Sequence, residues 1–561
     1  MCGIWCVLGD PIEAGTAKHL LTKLAVRGPE GSRIVQGTDF QLGFTRLAIN
    51  GLNEDGMQPM RSRTLSWVCN GEIYNWKDLA IRYNCPISSG SDCEVVGSLF
   101  QTLGAQTDAP TFFRSLDGVF ATVLVEGSTA FVARDPYGVR PLYVGYILGK
   151  PEAFGPDRAK VLDASGNGLP IASIVFASEL KALPLGSCSI VEAFPPGHYA
   201  AYDLQTLNRI GFEAYHTVPW IKQPLLEDVD AAKQALVCSL KAAVHKRMMT
   251  ERPISALLSG GLDSSLIASL VQSELKQAGA APLQTFSIGF QGSEDLRCAR
   301  LVANHIGSNH TEIVMTPDEF FAAIPEVVQA IESYDITTVR ASVGNYLVSK
   351  AIKEKTDCKV VFNGDGSDEV FGGYMYFYNA PSDEAFEAES GRLLTDIHLF
   401  DVLRSDRCIS SHGLEARTPF LDKQFVAVAK SLATKLRRPS KGSQCEKWIL
   451  RKAFAGSGLL PEEILWRKKE AFSDGVSGSS TNSWYQICQT KSLEEVGTNW
   501  KERSVAFPHL TPQTAEAYYY RVLFDRFYRN AQMTVVPYHW MPKWTPDAKD
   551  PSARTLDAYN T

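Results

Sequence analysis

The sequence predicts two domains: a strand-rich α+β half followed by an α/β half built on a parallel sheet. Three observations carry this. A chain of 561 residues is too long for one core when domains run roughly 100–200 residues. Up to about residue 205, short apolar or alternating runs are separated by turn residues. Beyond about residue 228, short β-like runs alternate with longer amphipathic segments, the pattern of βα units on a parallel sheet. The expected boundaries are 1–205 for the first domain, 206–228 for a linker, 229–540 for the second domain and 541–561 for an irregular tail.

In the first half, GIWCVLGD, SWVCNGEIYN, GVFATVLVEG, TAFVARDPYG and GHYAAYDL read as strands bounded by Gly, Asn, Asp and Pro. AKHLLTKLAVRG and DCEVVGSLFQTLG interrupt them with helical spacing. In the second half PISALLSG, LQTFSIGF, HTEIVM and CKVVFNGDG are the β-like runs. Between the first two, SSLIASLVQSELKQAG puts Leu266, Ile267, Leu270, Val271 and Leu275 on one helical face.

Composition narrows the function. A formal net charge of −6 and the absence of any long Lys/Arg run argue against a nucleic-acid partner. No apolar stretch approaches the roughly 18 residues of a membrane span, and the start lacks a secretory signal, so a cytosolic protein is expected. Twelve cysteines, with no CxxC pair, suggest reduced buried thiols, not a zinc cage or a redox dithiol.

Three local features carry chemistry. The chain begins MCGIWCVLGD. Once Met1 is trimmed, the usual fate when a small residue follows, Cys2 owns both a thiol nucleophile and an α-amine of pKa roughly 7.7–8.0 able to act as its base. In ISALLSGGLDSSLIASL a β-like run meets a Gly turn and a helix start around Ser264. That geometry presents unpaired N–H groups to an anion. It does not fit GxxxxGK[ST]; SGGxDS resembles the pyrophosphate loop of AMP-forming ATP pyrophosphatases. In that reading Ser259, Gly260, Gly261, Ser264 and Ser265 cradle pyrophosphate, and Asp263 helps hold Mg²⁺. A strand-to-helix turn capped by Asp or Ser is the competing reading. In VVFNGDGSDEVFGGYMYF, Asp365, Asp368 and Glu369 suit cation binding or proton transfer, and a solvated turn uses the same residue types.

With CGI at the amino end, NGEIYN at 70–75, GSDCE at 90–94, SGGLDSS at 259–265 and GSDEVFGGY at 366–374, the chain resembles the glutamine-hydrolysing asparagine synthetases. ITTVRAS, GLEARTPFLD, LWRKKEAFSDG and YHWMPKW extend the resemblance almost to the C-terminus. It implies an N-terminal Ntn-type glutaminase, a four-layer αββα sandwich, and a C-terminal ATP-pyrophosphatase domain with a parallel sheet. In the first, Cys2 attacks the glutamine amide, and Asn70 and the Gly71 N–H stabilise the tetrahedral intermediate. Arg46 pairs with the glutamine α-carboxylate, and Glu72 and Asp92 with its α-ammonium; Leu47, Ala48, Ile49 and Asn50 complete that loop.

In the second, aspartate and ATP give β-aspartyl-AMP and pyrophosphate, and ammonia displaces AMP. The resemblance places Leu257, Ile288, Asn363 and Gly364 around the nucleotide. Arg340 and Lys469 fall near developing phosphate charge, Asp263 and Asp368 with Mg²⁺, and Asp365 where a carboxylate serves the intermediate. ATP enters as substrate with Mg²⁺, and no organic prosthetic group is implied. An internal ammonia passage and a homodimer follow from the family alone. The scaffold also serves adenylating amidotransferases or cyclases on other carboxylates, and a non-catalytic regulatory relative is a third reading. Many of the former lose the N-terminal cysteine, which this chain keeps.

The chain departs from the family pattern at four points. NGDGSDE stands for SGEGSDE, with Asp365 for Glu and Asn363 for Ser; RGPE stands for RGPD; and INGLNEDGMQP lengthens the loop after Arg46. The shorter Asp365 reaches about 1 Å less, a displacement that can cost about 10²-fold in rate. The longer loop bears on the glutamine contacts of Ile49 and Asn50.

Overall fold

The opening strand shows how the first half is layered. Every residue of Gly3–Gly9 is buried, so both faces of this strand are covered and its sequence is continuously apolar instead of alternating. It lies inside a seven-stranded antiparallel sheet. The main path runs Cys188–Ala193, Tyr143–Leu148, Gly168–Ala177, Gly3–Gly9, Phe40–Thr45 and Ser32–Gln36. A six-stranded antiparallel sheet runs Arg209–Ala214, His198–Asp203, Thr129–Arg134, Gly118–Glu126, Leu65–Ile73 and Met60–Arg61.

Side chains of both sheets, among them Ile4, Phe44, Val68, Val123 and Phe176, share one buried cluster. The other face of the second sheet packs on helices Glu94–Leu103 and Ala109–Ser115 through Trp67, Leu99, Phe112 and Phe113. Helix Ala14–Thr22 covers the first sheet. The result is the αββα sandwich that the family resemblance implied.

The structure, a computed structural model, describes residues 1–103, 108–162, 168–219, 224–477, 483–529, 531, 535–546, 548 and 550–552. Its first unit comprises Met1–Thr217, Ser410–Gly413 and Asp525–Pro537, and its second Val218–Ile409, Leu414–Phe524 and Tyr538–Thr561. Strand Arg209–Ala214 pairs with His198–Asp203, so the start of the stretch expected to be a linker is the edge of the second sheet. Its side chains are mostly exposed. Residues 220–223 of the expected linker and 553–561 of the expected tail lie outside the described residues.

The second unit is built on five parallel strands in the order Asn309–Val314, Gln284–Gly289, Ile254–Leu257, Val360–Phe362 and Glu415–Arg417. Chain order starts at the central strand, adds two strands to one side and then two to the other. The strand order therefore reverses beside Ile254–Leu257, and a crevice opens at the carboxyl ends of the strands there. Both loops singled out in the sequence leave the sheet at that crevice. Among the described residues, no helix is long and apolar enough to cross a membrane.

Candidate active sites

In the N-terminal unit, Cys2 precedes the buried strand and pairing sets Gly3 against Thr45. This register brings the Cys2 thiol to Leu47, with Sγ 3.4 Å from the Leu47 N–H and 3.5 Å from its carbonyl oxygen. The Arg27 Nε–H donates to the Cys2 carbonyl at 2.9 Å, and Arg27 is itself paired at 2.7 Å with Glu179, both side chains fully buried. Met1 is buried against Arg140; in the encoded chain the Cys2 nitrogen is an amide, and removing Met1 is what creates the amine.

The loop after Arg46 is tied down residue by residue. The Ala48 N–H donates to Glu30 at 2.8 Å, so the RGPE carboxylate anchors this loop. Asn50 Nδ2 donates to Glu72 Oε2 at 2.8 Å, and the Ile73 N–H donates to Asp92 Oδ2 at 2.7 Å. Leu47, Ala48 and Ile49 are buried. Arg46 is turned onto its own lengthened loop, donating to the carbonyls of Asn53 at 2.7 Å and Gly51 at 2.5 Å.

Asn70 lies on strand Leu65–Ile73 opposite Ala121. It is 0% exposed, and neither its side-chain oxygen nor its nitrogen has a hydrogen-bond partner. A buried amide in that state costs free energy unless a ligand completes it. At Gly71 an added Cβ meets the Val119 carbonyl oxygen at 2.2 Å, so no larger residue fits this segment.

In the second unit one cavity is lined by Leu257, Ser259, Gly261, Asp263, Ser264, Ile288, Arg340, Asn363, Gly364, Asp365, Asp368 and Lys469. The helix begins at Leu262, with Gly261 at its N-cap and no side chain capping it. That disposes of the capped-turn reading and leaves the helix N-terminus facing the cavity. Ser259 and Ser264 hydroxyls lie 3.1 Å apart, and the Ser264 hydroxyl donates to the Gly261 carbonyl at 3.3 Å. Gly260 has φ +72°, and a Cβ there meets Cys298 Cβ at 2.4 Å; it shapes the turn without lining the cavity. Ser265 is fully buried behind the loop.

Charge is concentrated on the wall opposite in sequence. Lys447 Nζ sits 2.5 Å from Asp263 and 2.7 Å from Asp368. Lys469 Nζ reaches the other Asp368 oxygen at 2.7 Å, and the Ser367 hydroxyl donates to Asp263 at 2.8 Å. Although burial opposes ionisation, the two ammonium groups hold Asp368 well below the usual carboxylate range. Asp263 and Asp368 bring hard carboxylate oxygens to either side of Lys447, donors of the kind that suit a hard cation completing its shell with phosphate oxygens.

Asp365 Oδ1 lies 3.2 Å from Arg404, which also pairs with Asp401 at 2.6 Å. Burial pushes the Asp365 carboxyl up, against the pull of Arg404. Glu369 is raised further, by burial and then by Asp401 and Asp368, and accepts from the Tyr374 hydroxyl at 2.5 Å. Asn363, the other departure in this loop, donates to the Ser405 hydroxyl at 2.5 Å. Its side-chain oxygen accepts the Asp365 N–H at 3.3 Å. The substituted pair thus holds its own turn.

The Glutamine amidotransferase domain model matches residues 1–215, and the Asparagine synthase model matches 236–390 and 380–551. Over 584 residues the chain is 41% identical to "Asparagine synthetase [glutamine-hydrolyzing]" of Cricetulus griseus, covering 100% of this chain and 99% of the relative. The Homo sapiens protein of the same name matches to the same extent, and that of Gallus gallus is 41% identical over 589 residues. The chain belongs to the glutamine-hydrolysing asparagine synthetases.

Several residues of the two candidate sites escaped the sequence reading. Arg27 and Glu179, Lys447, Arg404 with Asp401, and Tyr374 all reach their sites through contacts distant in sequence or lack a local pattern. Lys447 left one trace visible only in the backbone, a left-handed φ of +56° at the N-cap of helix Trp448–Phe454.

Proposed function

We infer that the chain catalyses glutamine-dependent, AMP-forming synthesis of asparagine from aspartate and ATP. Full-length identity to relatives of that name supports it, and the orphaned Asn70 amide beside a Cys2-led strand is the single observation that carries the glutaminase half.

Once Met1 is removed, the Cys2 amine accepts the thiol proton and the thiolate attacks the glutamine side-chain carbonyl. The buried Asn70 Nδ2–H and the Gly71 N–H are available for the oxyanion at no reorganisation cost. Glu72 and Asp92 offer carboxylates to the α-ammonium, and Arg46 serves the α-carboxylate by giving up loop carbonyls. Collapse expels ammonia, and water releases glutamate from the thioester.

In the second unit the Ser259–Ser264 loop and the uncapped helix N-terminus receive the β- and γ-phosphates. Lys469, Lys447 and Arg340 supply positive charge that counters the departing pyrophosphate. Mg²⁺ would be held by Asp263 and Asp368 and neutralises phosphate charge when bound. Arg404, with Asp401 and Glu369 around it, offers a cation and carboxylates to the α-groups of aspartate. The aspartate β-carboxylate attacks the α-phosphorus, pyrophosphate leaves, and ammonia attacks the acyl carbon to release AMP. Asp365 takes the proton ammonia sheds. A cytosolic setting fits twelve cysteines that are all free thiols.

Product analysis tests this. Cys2→Ala should abolish glutamine-driven asparagine and AMP formation and preserve the ammonia-driven reaction. Loss of both in a folded protein, or ADP in place of AMP, removes the two-site reading.

A further inference from the structure

Arg340 faces the cavity that holds the Ser259–Ser264 loop, yet its guanidinium is already engaged on two edges. Glu516 accepts from Nε at 2.7 Å and Nη2 at 2.5 Å; Asp550 accepts from Nη1 and Nη2 at 2.8 Å each. Four of the five guanidinium N–H groups are spent on protein carboxylates.

The two carboxylates are not equivalent. The Glu516 side chain is 1% exposed and is fixed from its own helix, Ala515–Tyr528, where the Tyr520 hydroxyl donates to it at 2.8 Å. The Asp550 side chain is 12% exposed and belongs to the C-terminal segment, whose next residues, Pro551 and Ser552, are themselves cavity wall. Polar contacts tie that segment to its surroundings. Gln489 Nε2 donates to Asp550 at 2.8 Å, and the Ser552 N–H donates back to Asp550 at 2.9 Å. The Ser552 hydroxyl donates to Asp474 at 3.0 Å.

Charge decides what this arrangement means. By formal charge, one guanidinium with two carboxylates sums to −1, beside a loop built to receive a polyanion. The surplus charge repels an incoming triphosphate, and the Nη1/Nη2 edge that Asp550 fills is a bidentate edge that also matches a phosphate. Glu516 suffices to hold Arg340 in place from the Nε side.

We propose that Asp550 and the Pro551–Ser552 segment form a strap displaced by substrate: Asp550 fills the Nη1/Nη2 edge of Arg340 until the triphosphate of ATP takes that edge and frees the segment. This rests on the reading of the cavity as the ATP site. The strap makes ATP compete with the protein's own carboxylate for one cation, so it sets nucleotide affinity without taking part in bond making.

The test is ammonia-driven, aspartate-dependent AMP release by the full chain, which leaves the glutamine site out of the measurement. Asp550→Asn should lower KM for ATP about 5-fold or more, the size of an ordinary coupling between sites, and hold kcat within about 2-fold. Asp550→Glu, which keeps the charge, should stay near the parent KM. An unchanged or higher KM in Asp550→Asn, or a loss of kcat at constant KM, overturns the strap. Arg340→Gln separates the two levels. If it loses kcat/KM for ATP while Asp550→Asn changes nothing, only the strap fails; if it keeps kcat/KM, the phosphate reading of Arg340 fails as well. Should Asp550→Asn not fold, hydrogen exchange on the parent chain decides: a non-hydrolysable ATP analogue should speed exchange of the Ser552 amide, and protection there overturns the proposal.

Discussion

Lys469 Nζ lies 2.7 Å from Asp368 Oδ2, across 101 residues of sequence. Burial opposes both charges, yet Lys469 is raised above the usual lysine range by Asp368 and Asp263 as Asp368 is lowered by Lys447 and Lys469. The stabilisation from Asp368 is present above its unfolded pKa of about 3.9 and is lost as pH falls through the lowered value; that from Lys469 is present below about 10.4 and is lost as pH rises through the raised one. Lys469→Met should cut ammonia-driven AMP release by about 10²–10³-fold with glutaminase turnover unchanged. Equal loss at both sites would show the effect to be on folding.

Asn70→Ala should separate catalysis from stability. Its side-chain amide bonds nothing within the protein, so deleting it removes no internal hydrogen bond. The expected outcome is a glutaminase kcat lowered by about 10²–10³-fold, a melting temperature no lower than the parent's and intact ammonia-driven synthesis. A markedly lower melting temperature would mark Asn70 as structural.

Asp365→Asn should stabilise the fold and slow the synthetase. The raised carboxyl contributes stability below its unfolded pKa of about 3.9, which is lost as pH rises through the raised value. An amide of the same shape escapes that loss. The melting-temperature advantage of the variant over the parent should therefore grow as pH rises from below about 3.9. A constant difference would mean that Arg404 fully offsets the burial.

Gly260→Ala places a methyl 2.4 Å from Cys298 Cβ and 2.5 Å from the Ala299 nitrogen, at a φ of +72°. Strain of this kind costs about 1–3 kcal/mol, and relief requires the phosphate loop to move. ATP binding by calorimetry should weaken at least tenfold, with glutamine hydrolysis retained. Unaltered ATP affinity would place the loop's function elsewhere.

Much of the candidate site was legible because its chemistry is local. SGGLDSS writes a strand end, a tight turn and a helix start in consecutive residues, and the helix starts at Leu262 within that string. NGDGSDE does the same for a second strand end. Cys2 stood out as a candidate because a cysteine behind the initiator methionine can pair a thiol with an amine. By contrast strands such as Tyr143–Leu148 and Arg209–Ala214 went unread, although Val144, Ile147 and Leu148 in the one and Ile210 and Phe212 in the other are apolar: a short apolar run does not by itself tell a strand from another buried segment.

What the sequence by itself determined is therefore the chemistry at loop ends and the order of the two halves, because glycine, helix-start and apolar-run signals act over a few residues. Tertiary structure alone decided which charges meet. Arg340 finds Asp550 across 210 residues and Lys447 finds Asp263 across 184. Coulomb attraction between buried groups depends on distance in space, and nothing in a lysine or an aspartate written alone records which partner the sheet will bring beside it.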